Sequence, residues 1–119
     1  MIQNLLTTSI LLFSFFAGTI AADKVRHGTH RGYDEKVHTI GVVDSKTVYL
    51  AIPEYKQIKK EKVKEGSARY FQLMKRATDR YHKALQKAAK EGGYYVLVEQ
   101  GGVQGYSTTN VTELCISNL

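Results

Sequence analysis

The sequence predicts an α+β domain in which a small β body, formed by both ends of the chain, carries a projecting antiparallel helical hairpin. Residues 67–91 repeat apolar side chains at helical spacing and contain no Gly or Pro until the run ends. β-Branched and aromatic runs at 37–43 and 94–99 predict strands on either side of the helical region. The two outer segments must therefore meet in space to build one sheet.

The first 22 residues are predicted to be a secretory signal peptide. Residues 5–22 carry no charge and end in small residues that suit cleavage after Ala21 or Ala22. A retained membrane anchor is the alternative, because a run of about 18 apolar residues is at the lower limit for spanning a bilayer. The polar stretch 23–36 follows, and we expect it to be a flexible lead-in.

The histidines and the single cysteine give little indication of a metal site or a reactive thiol. His27, His30 and His38 are close in sequence, but no Cys or acidic residue completes a recognised ligand spacing, so we expect neither a metal nor a cofactor. Cys115 is the one cysteine, which excludes a disulfide within the chain. We expect it to be a small buried hydrophobe, with a reactive thiol or a bridge between chains as the alternative. A chain this short buries a limited core, which favours oligomerisation.

Local signals define the helical region, about residues 45–91. Asp44 is a plausible N-cap for a helix that begins at Ser45. Pro53 then either starts a second helix at its first turn or kinks the first one. Gly66 is predicted to end this helix, and Ser67 to cap the long helix that follows. So short a connection predicts that the two helices lie antiparallel.

The C-terminal region is predicted to be two strands followed by a short helix. Gly92-Gly93 ends the long helix, and residues 94–99 and 103–106 are predicted strands joined by a tight turn. Asn110 resembles a helix cap, with Glu113 three residues later. The apolar residues expected to face inward from this helix are Val111, Leu114, Cys115 and Leu119.

Positive charge is concentrated in the helical region. Residues 45–91 hold 13 Lys and Arg against five Asp and Glu, whereas the whole chain has a net charge of +6. Such a field attracts anionic partners, namely acidic stretches of unfolded chains, lipid headgroups or nucleic acid. A solvated surface with no partner is the plain alternative. Export and the absence of a recognised nucleic-acid motif argue against nucleic acid. The sequence offers no catalytic set and no phosphate loop, so we expect no enzymatic activity.

Two stretches resemble the OmpH/Skp family of periplasmic chaperones. HTIGVVDSKTVYLAIPEYKQIKKE is similar to that family's opening, a strand leading into an Asp-initiated helical turn and a Pro-Glu-Tyr-Lys helix start. ALQKAAKEGGYYVLVEQGGVQGYSTTNVTELCISNL is similar to its ending, an Ala-rich helix followed by a Gly-Tyr strand, a second strand and a capped terminal helix. The resemblance covers about residues 38–119, but the predicted arms, roughly 30–37 Å long at 1.5 Å per residue, are shorter than those of the family.

This resemblance implies a homotrimeric, ATP-independent periplasmic holdase that encloses unfolded outer-membrane proteins between helical arms and needs no cofactor. A small envelope adaptor that binds an acidic partner or an anionic lipid surface is the alternative. The positions implied for the oligomer body are Ile40, Val42, Val43, Tyr95, Val96, Leu97 and Val98. The positions implied for client contact are Tyr55, Ile58, Lys59, Lys60, Phe71, Met74, Arg76, Arg80 and Lys83, with Leu73 as a further apolar contact.

Overall fold

The computed structural model describes residues 18–119 and shows a mixed α+β fold, as predicted. Residues 1–17 of the predicted leader lie outside the described residues. The strands are β1 Thr19–Ile20, β2 Val25–Gly28, β3 Ile40–Val43, β4 Val96–Glu99, β5 Val103–Gln104 and β6 Thr108–Asn110. The helices are α1 Ser45–Ala51, α2 Pro53–Glu61, α3 Ala68–Gly92 and α4 Thr112–Ser117, and a single 3₁₀ turn spans Ala22–Lys24.

The main sheet joins the two distant ends of the chain. Its strand order is β2-β4-β3-β6, in which β3 runs parallel to both β4 and β6, and β2 runs antiparallel to β4. Ile40 lies opposite Val96 and Val42 lies opposite Val98. The predicted meeting of the segments on either side of the helices is therefore confirmed. A second, two-stranded sheet pairs β1 with β5.

The two faces of the main sheet pack against different layers. Alternation along β4 places Leu97 on the helical side, in a buried cluster with residues of α1, α3 and α4. Val96 and Val98 lie on the opposite side with Ile40, where residues of β1, β2, β5 and the loop tyrosines cover them. Gly41 of β3 leaves room for this packing, because a Cβ there would lie 2.6 Å from the Leu97 Cδ2 and force that side chain to shift.

Side-chain caps position the helices. The Asp44 carboxylate accepts a hydrogen bond from the Thr47 N–H, and the Ser67 hydroxyl accepts one from the Tyr70 N–H, as predicted. Pro53 begins α2 at its first turn rather than kinking α1. Gly93 ends α3 in the left-handed conformation with φ of 71°. The buried positions of α4 include Cys115, as expected.

Three sequence-based expectations differ from the structure. The lead-in is ordered in part, because Val25–Gly28 pairs with β4 and Arg26 bonds to Glu99. The second helix ends at Glu61 rather than near Gly66, because Lys62 takes the left-handed conformation and the Val63 N–H donates to the Ile58 carbonyl. Asn110 caps α4 differently from a capping box, since its side-chain oxygen accepts from the Thr112 N–H while Val111 holds the N-cap position.

Candidate functional site

A cleft of about 380 Å³ opens between α2 and α3 near the turn that joins them. Two ion pairs link these helices, Glu54 with Arg80 and Glu61 with Arg69, each at 2.8 Å. The earlier residue of α2, Glu54, pairs with the later residue of α3, Arg80, and the later residue, Glu61, pairs with the earlier one, Arg69. The two helices therefore run antiparallel. The side chains that line the cleft are Tyr55, Ile58, Lys59, Lys62, Val63, Glu65, Tyr70 and Met74.

Helical spacing explains why the apolar side chains of the cleft converge. Tyr55 and Ile58 are three residues apart on α2, and Tyr70 and Met74 are four apart on α3, so each pair lies on one helix face. Ile58 is almost fully buried at 7% exposure, whereas Tyr55, Tyr70 and Met74 are half-buried. The cleft therefore presents an apolar surface that the fold itself leaves partly uncovered.

Phe71 extends this apolar surface outwards. Its side chain is 61% exposed, and its ring lies edge-on to that of Tyr70 with the ring centres 5.8 Å apart. Leu73, two residues further along α3, is only 6% exposed and belongs to the interior. Of the two apolar residues, Phe71 is thus accessible to a partner, whereas Leu73 is not.

Basic side chains surround the cleft. The Lys59 ammonium lies 5.4 Å from the centre of the Tyr55 ring, within cation–π range, and Lys62 lies on the rim. Lys60, one residue along α2 from Lys59, is exposed. Glu65 is the one acidic side chain in the lining, so the mouth of the cleft is net positive.

A second shallow depression on α3 is also basic. Arg76, Arg80 and Lys83 line it together with Glu54 and Asp79. Burial acts to raise the pKa of Glu54, but a hydrogen bond from Arg80, a backbone hydrogen bond and the charges of Arg80 and Arg76 together hold the pKa below its usual value. Arg80 is therefore committed to Glu54. Within residues 18–119, neither Arg76 nor Lys83 has an acidic partner within 4 Å.

The residues predicted to form an oligomer body lie mostly in the interior of one chain. Five of the seven are at most 1% exposed, so their side chains are covered without a second subunit. Val42 and Tyr95 are partly exposed. Tyr95 stacks on His38 with ring centres 3.9 Å apart, and its hydroxyl donates to the Arg31 carbonyl. The five buried residues are Ile40, Val43, Val96, Leu97 and Val98.

The structure brings four of the predicted client-contact residues into one cleft and places the others outside its lining. Tyr55, Ile58, Lys59 and Met74 line it, and Phe71 adjoins it through Tyr70. Tyr70 was not predicted as a contact, although its spacing of four residues from Met74 marks the same helix face. The remaining predicted cations lie on exposed helix surface, namely Lys60, Arg76, Arg80 and Lys83.

The described residues contain no helix that combines the length and apolarity needed to cross a bilayer. Within the same residues, no group of three His, Cys, Asp or Glu side chains is arranged to hold a metal ion. Comparison of the chain with family models, curated proteins and solved structures gives no match.

Proposed function

We propose that the protein is an ATP-independent holdase of the periplasm, exported by a cleaved leader, that binds unfolded outer-membrane or envelope proteins through its basic helical pair. The resemblance to the OmpH/Skp family suggests this role, together with a homotrimer in which the helical pairs are short arms. The cleft between α2 and α3 is the observation that carries the proposal. It combines partly exposed apolar side chains with the exposed cations Lys59 and Lys62 in one lining.

The apolar part of the surface suits a changing set of partners. Met74 has a flexible, polarisable side chain that adapts to irregular shapes, and Tyr55 and Tyr70 offer large flat contacts. The cleft is partly open to solvent rather than fully enclosed. Weak, shallow contact of this kind is what a holdase needs, because it must release each client unchanged.

The charge supplies capture at a distance. Exposed cations attract acidic segments over roughly 8–10 Å at physiological salt, a range that salt shortens. Lys59 and Lys60 stand beside the cleft, and Arg76 and Lys83 extend the positive surface along α3. Clients would thus be drawn to the helices before the apolar contacts form.

The test is suppression of aggregation. The purified protein is mixed with an outer-membrane protein diluted from urea, and light scattering is followed at low and at high salt. We expect suppression near equimolar trimer, and stronger suppression at low salt. No suppression at several-fold molar excess would refute the holdase proposal.

A charge-reversed variant makes this test specific. Changing Lys59, Lys60, Arg76 and Lys83 to Glu is expected to abolish client binding and leave the oligomer intact. A matched control reverses four exposed cations elsewhere, Lys24, Lys36, Lys46 and Lys90, and so has the same net charge. Equal loss in both variants would show that total charge, rather than this surface, governs binding.

The second candidate is an envelope adaptor that binds one acidic partner or an anionic lipid surface. The depression lined by Arg76 and Lys83 favours it, because those cations lie away from the apolar cleft. An adaptor predicts saturable binding to one envelope protein, or to vesicles rich in anionic lipid, with little effect on general aggregation. Flotation with anionic and with neutral vesicles separates this function from the holdase.

A further inference from the structure

Residues 18–21, which lie near the end of the predicted leader 1–22, are built into the folded domain. Thr19 pairs with Gln104 and Ile20 with Val103 in the β1–β5 ribbon. The Ala21 N–H donates to the Gly102 carbonyl at 2.8 Å. Ile20 also packs against the buried cluster that covers one face of the main sheet.

Gly18 adds a tight contact at the beginning of this segment. A Cβ at Gly18 would lie 2.6 Å from atoms of the Tyr106 ring, so the glycine backbone lies directly against that ring. Tyr106 is held in turn by Tyr33, whose ring centre is 4.9 Å away. A side chain larger than hydrogen would require either the segment or the Tyr106 ring to shift.

The chain is anchored again just after the predicted cleavage site. Val25 pairs with Val98, and the Arg26 guanidinium bonds to the Glu99 carboxylate at 3.1 Å. Between the two anchors lie the three residues of the 3₁₀ turn, Ala22–Lys24, closed by a hydrogen bond from the Val25 N–H to the Ala22 carbonyl.

We infer that folding closes the leader's cleavage site, so that a peptidase must cut after Ala21 or Ala22 before the domain folds. This inference rests on the proposed export by a cleaved leader. A peptidase binds its substrate as an extended strand with free backbone groups on both sides of the scissile bond. Here residues 19–21, before the scissile bond, are paired with β5 or its turn. The residues after the bond form the 3₁₀ turn, and the next strand, β2, is paired with β4.

Cleavage of the folded chain therefore requires local opening. Residues 18–21 must leave β5 and Tyr106, and the 3₁₀ turn must unwind, before the bond fits a peptidase cleft. When such opening is rapid and reversible, the rate of cleavage follows the small population of the open form. Folding and leader removal are thus competing events, and a chain that folds first keeps its leader.

The experiment compares leader peptidase acting, in detergent micelles, on the folded full chain and on a synthetic peptide of residues 8–30. We expect the peptide to be cut after Ala21 or Ala22, and the folded chain to be cut at least tenfold more slowly. Tyr106→Ser should speed cleavage of the folded chain by at least threefold, because it removes the ring against Gly18 without altering the cleavage sequence, and the remaining pairing with β5 should keep the rate below that of the peptide. Leu50→Ser is the control, since it changes an exposed apolar residue of α1, an element that forms no part of the β1–β5 ribbon, and should leave the cleavage rate unchanged.

Hydrogen exchange on the intact wild-type chain gives an independent readout that does not depend on the variant's folding. The Ala21 amide should exchange at least tenfold more slowly than the amides of residues 64–66, which are exposed residues of the turn between α2 and α3. A folded chain cut as fast as the peptide, or an unprotected Ala21 amide, would overturn the inference while leaving the leader proposal standing. A peptide that is not cut at all would overturn both, and aggregation suppression would still test the holdase separately.

Discussion

Replacing Phe71 by Ala should weaken client binding strongly and barely alter folding stability. Phe71 is 61% exposed beside the cleft, and a phenylalanine side chain of roughly 200 Å² leaves about 120 Å² available to a client. At about 25 cal/mol per Å², full coverage of this area contributes about 3 kcal/mol. Association costs and incomplete coverage reduce this contribution to the free energy of binding. A contribution of half that size, about 1.5 kcal/mol, corresponds to about a tenfold change in Kd. We therefore expect Kd to rise by about 10- to 100-fold.

The same substitution should leave the free energy of unfolding within about 0.5 kcal/mol of wild type, because surface changes seldom cost more. Binding is measured by fluorescence anisotropy with a dye-labelled unfolded outer-membrane protein, and stability by urea titration. Leu50→Ala is the matched control, since Leu50 is 49% exposed but lies on α1, outside the cleft lining. A Kd for Phe71→Ala within twofold of wild type, or an equal loss in Leu50→Ala, would refute the assignment of the cleft as the client site.

Three further predictions concern the interior. Leu85 is fully buried in the helical cluster, so Leu85→Ala should cost about 2–5 kcal/mol in a urea titration, and a loss below about 1 kcal/mol would contradict its place in the core. Burial acts to raise the pKa of Glu99, but hydrogen bonds from Ser45 and Arg26 outweigh it and lower the pKa. The stability that ionised Glu99 contributes is therefore fully present above its ordinary pKa of 4.5, and it is lost as the pH falls through the lower pKa of the folded state. Glu99→Gln removes this ionisation. The urea midpoint of the variant should therefore fall less between pH 6 and pH 3 than that of the wild type. Burial raises the pKa of the Cys115 thiol to about 11, so a thiol reagent at pH 8 should label it only on unfolding, and labelling faster than unfolding would contradict this placement.

Local signals allowed the long helix to be predicted within one residue at each end. The Ser67 hydroxyl caps the first turn, and Gly93 supplies the left-handed residue that ends the helix. Both signals depend only on residues next to the helix ends, so the sequence alone is sufficient to place those ends. The end of α2 was missed because Lys62, a residue with no special preference for it, takes the left-handed conformation with φ of 50°.

Long-range pairing explains the strands that the sequence did not indicate. β2 pairs with β4, about 70 residues later, and its sequence Val-Arg-His-Gly has one apolar residue. β6 consists of three exposed polar residues that pair with β3 at the edge of the sheet. Neither segment has the apolar alternation of a strand, because edge strands with one covered face need little of it.

The candidate site was predictable only where short-range helical spacing determines which side chains share a face. Helical spacing brings Tyr55 and Ile58 to one face of α2, and this follows from the sequence. The interior strand residues were not assignable in the same way. A valine such as Val96 has the same sequence pattern whether it is covered by its own chain or by a second subunit, and here its own chain covers it.

Burial along α3 divides this one helix into a part that stabilises the fold and a part that is free to bind. From Ala77 to Ala89 its inward side chains are at most 4% exposed and pack with α1, α4 and the sheet. Nearer its beginning, Tyr70 and Met74 are half-buried and Phe71 is exposed, although α2 lies beside them. The exposure of Phe71 adds nothing to the core, although single exposed apolar residues are common on protein surfaces. Under the holdase proposal, a client would cover Phe71 intermittently, and the cations around the same cleft would favour an acidic client.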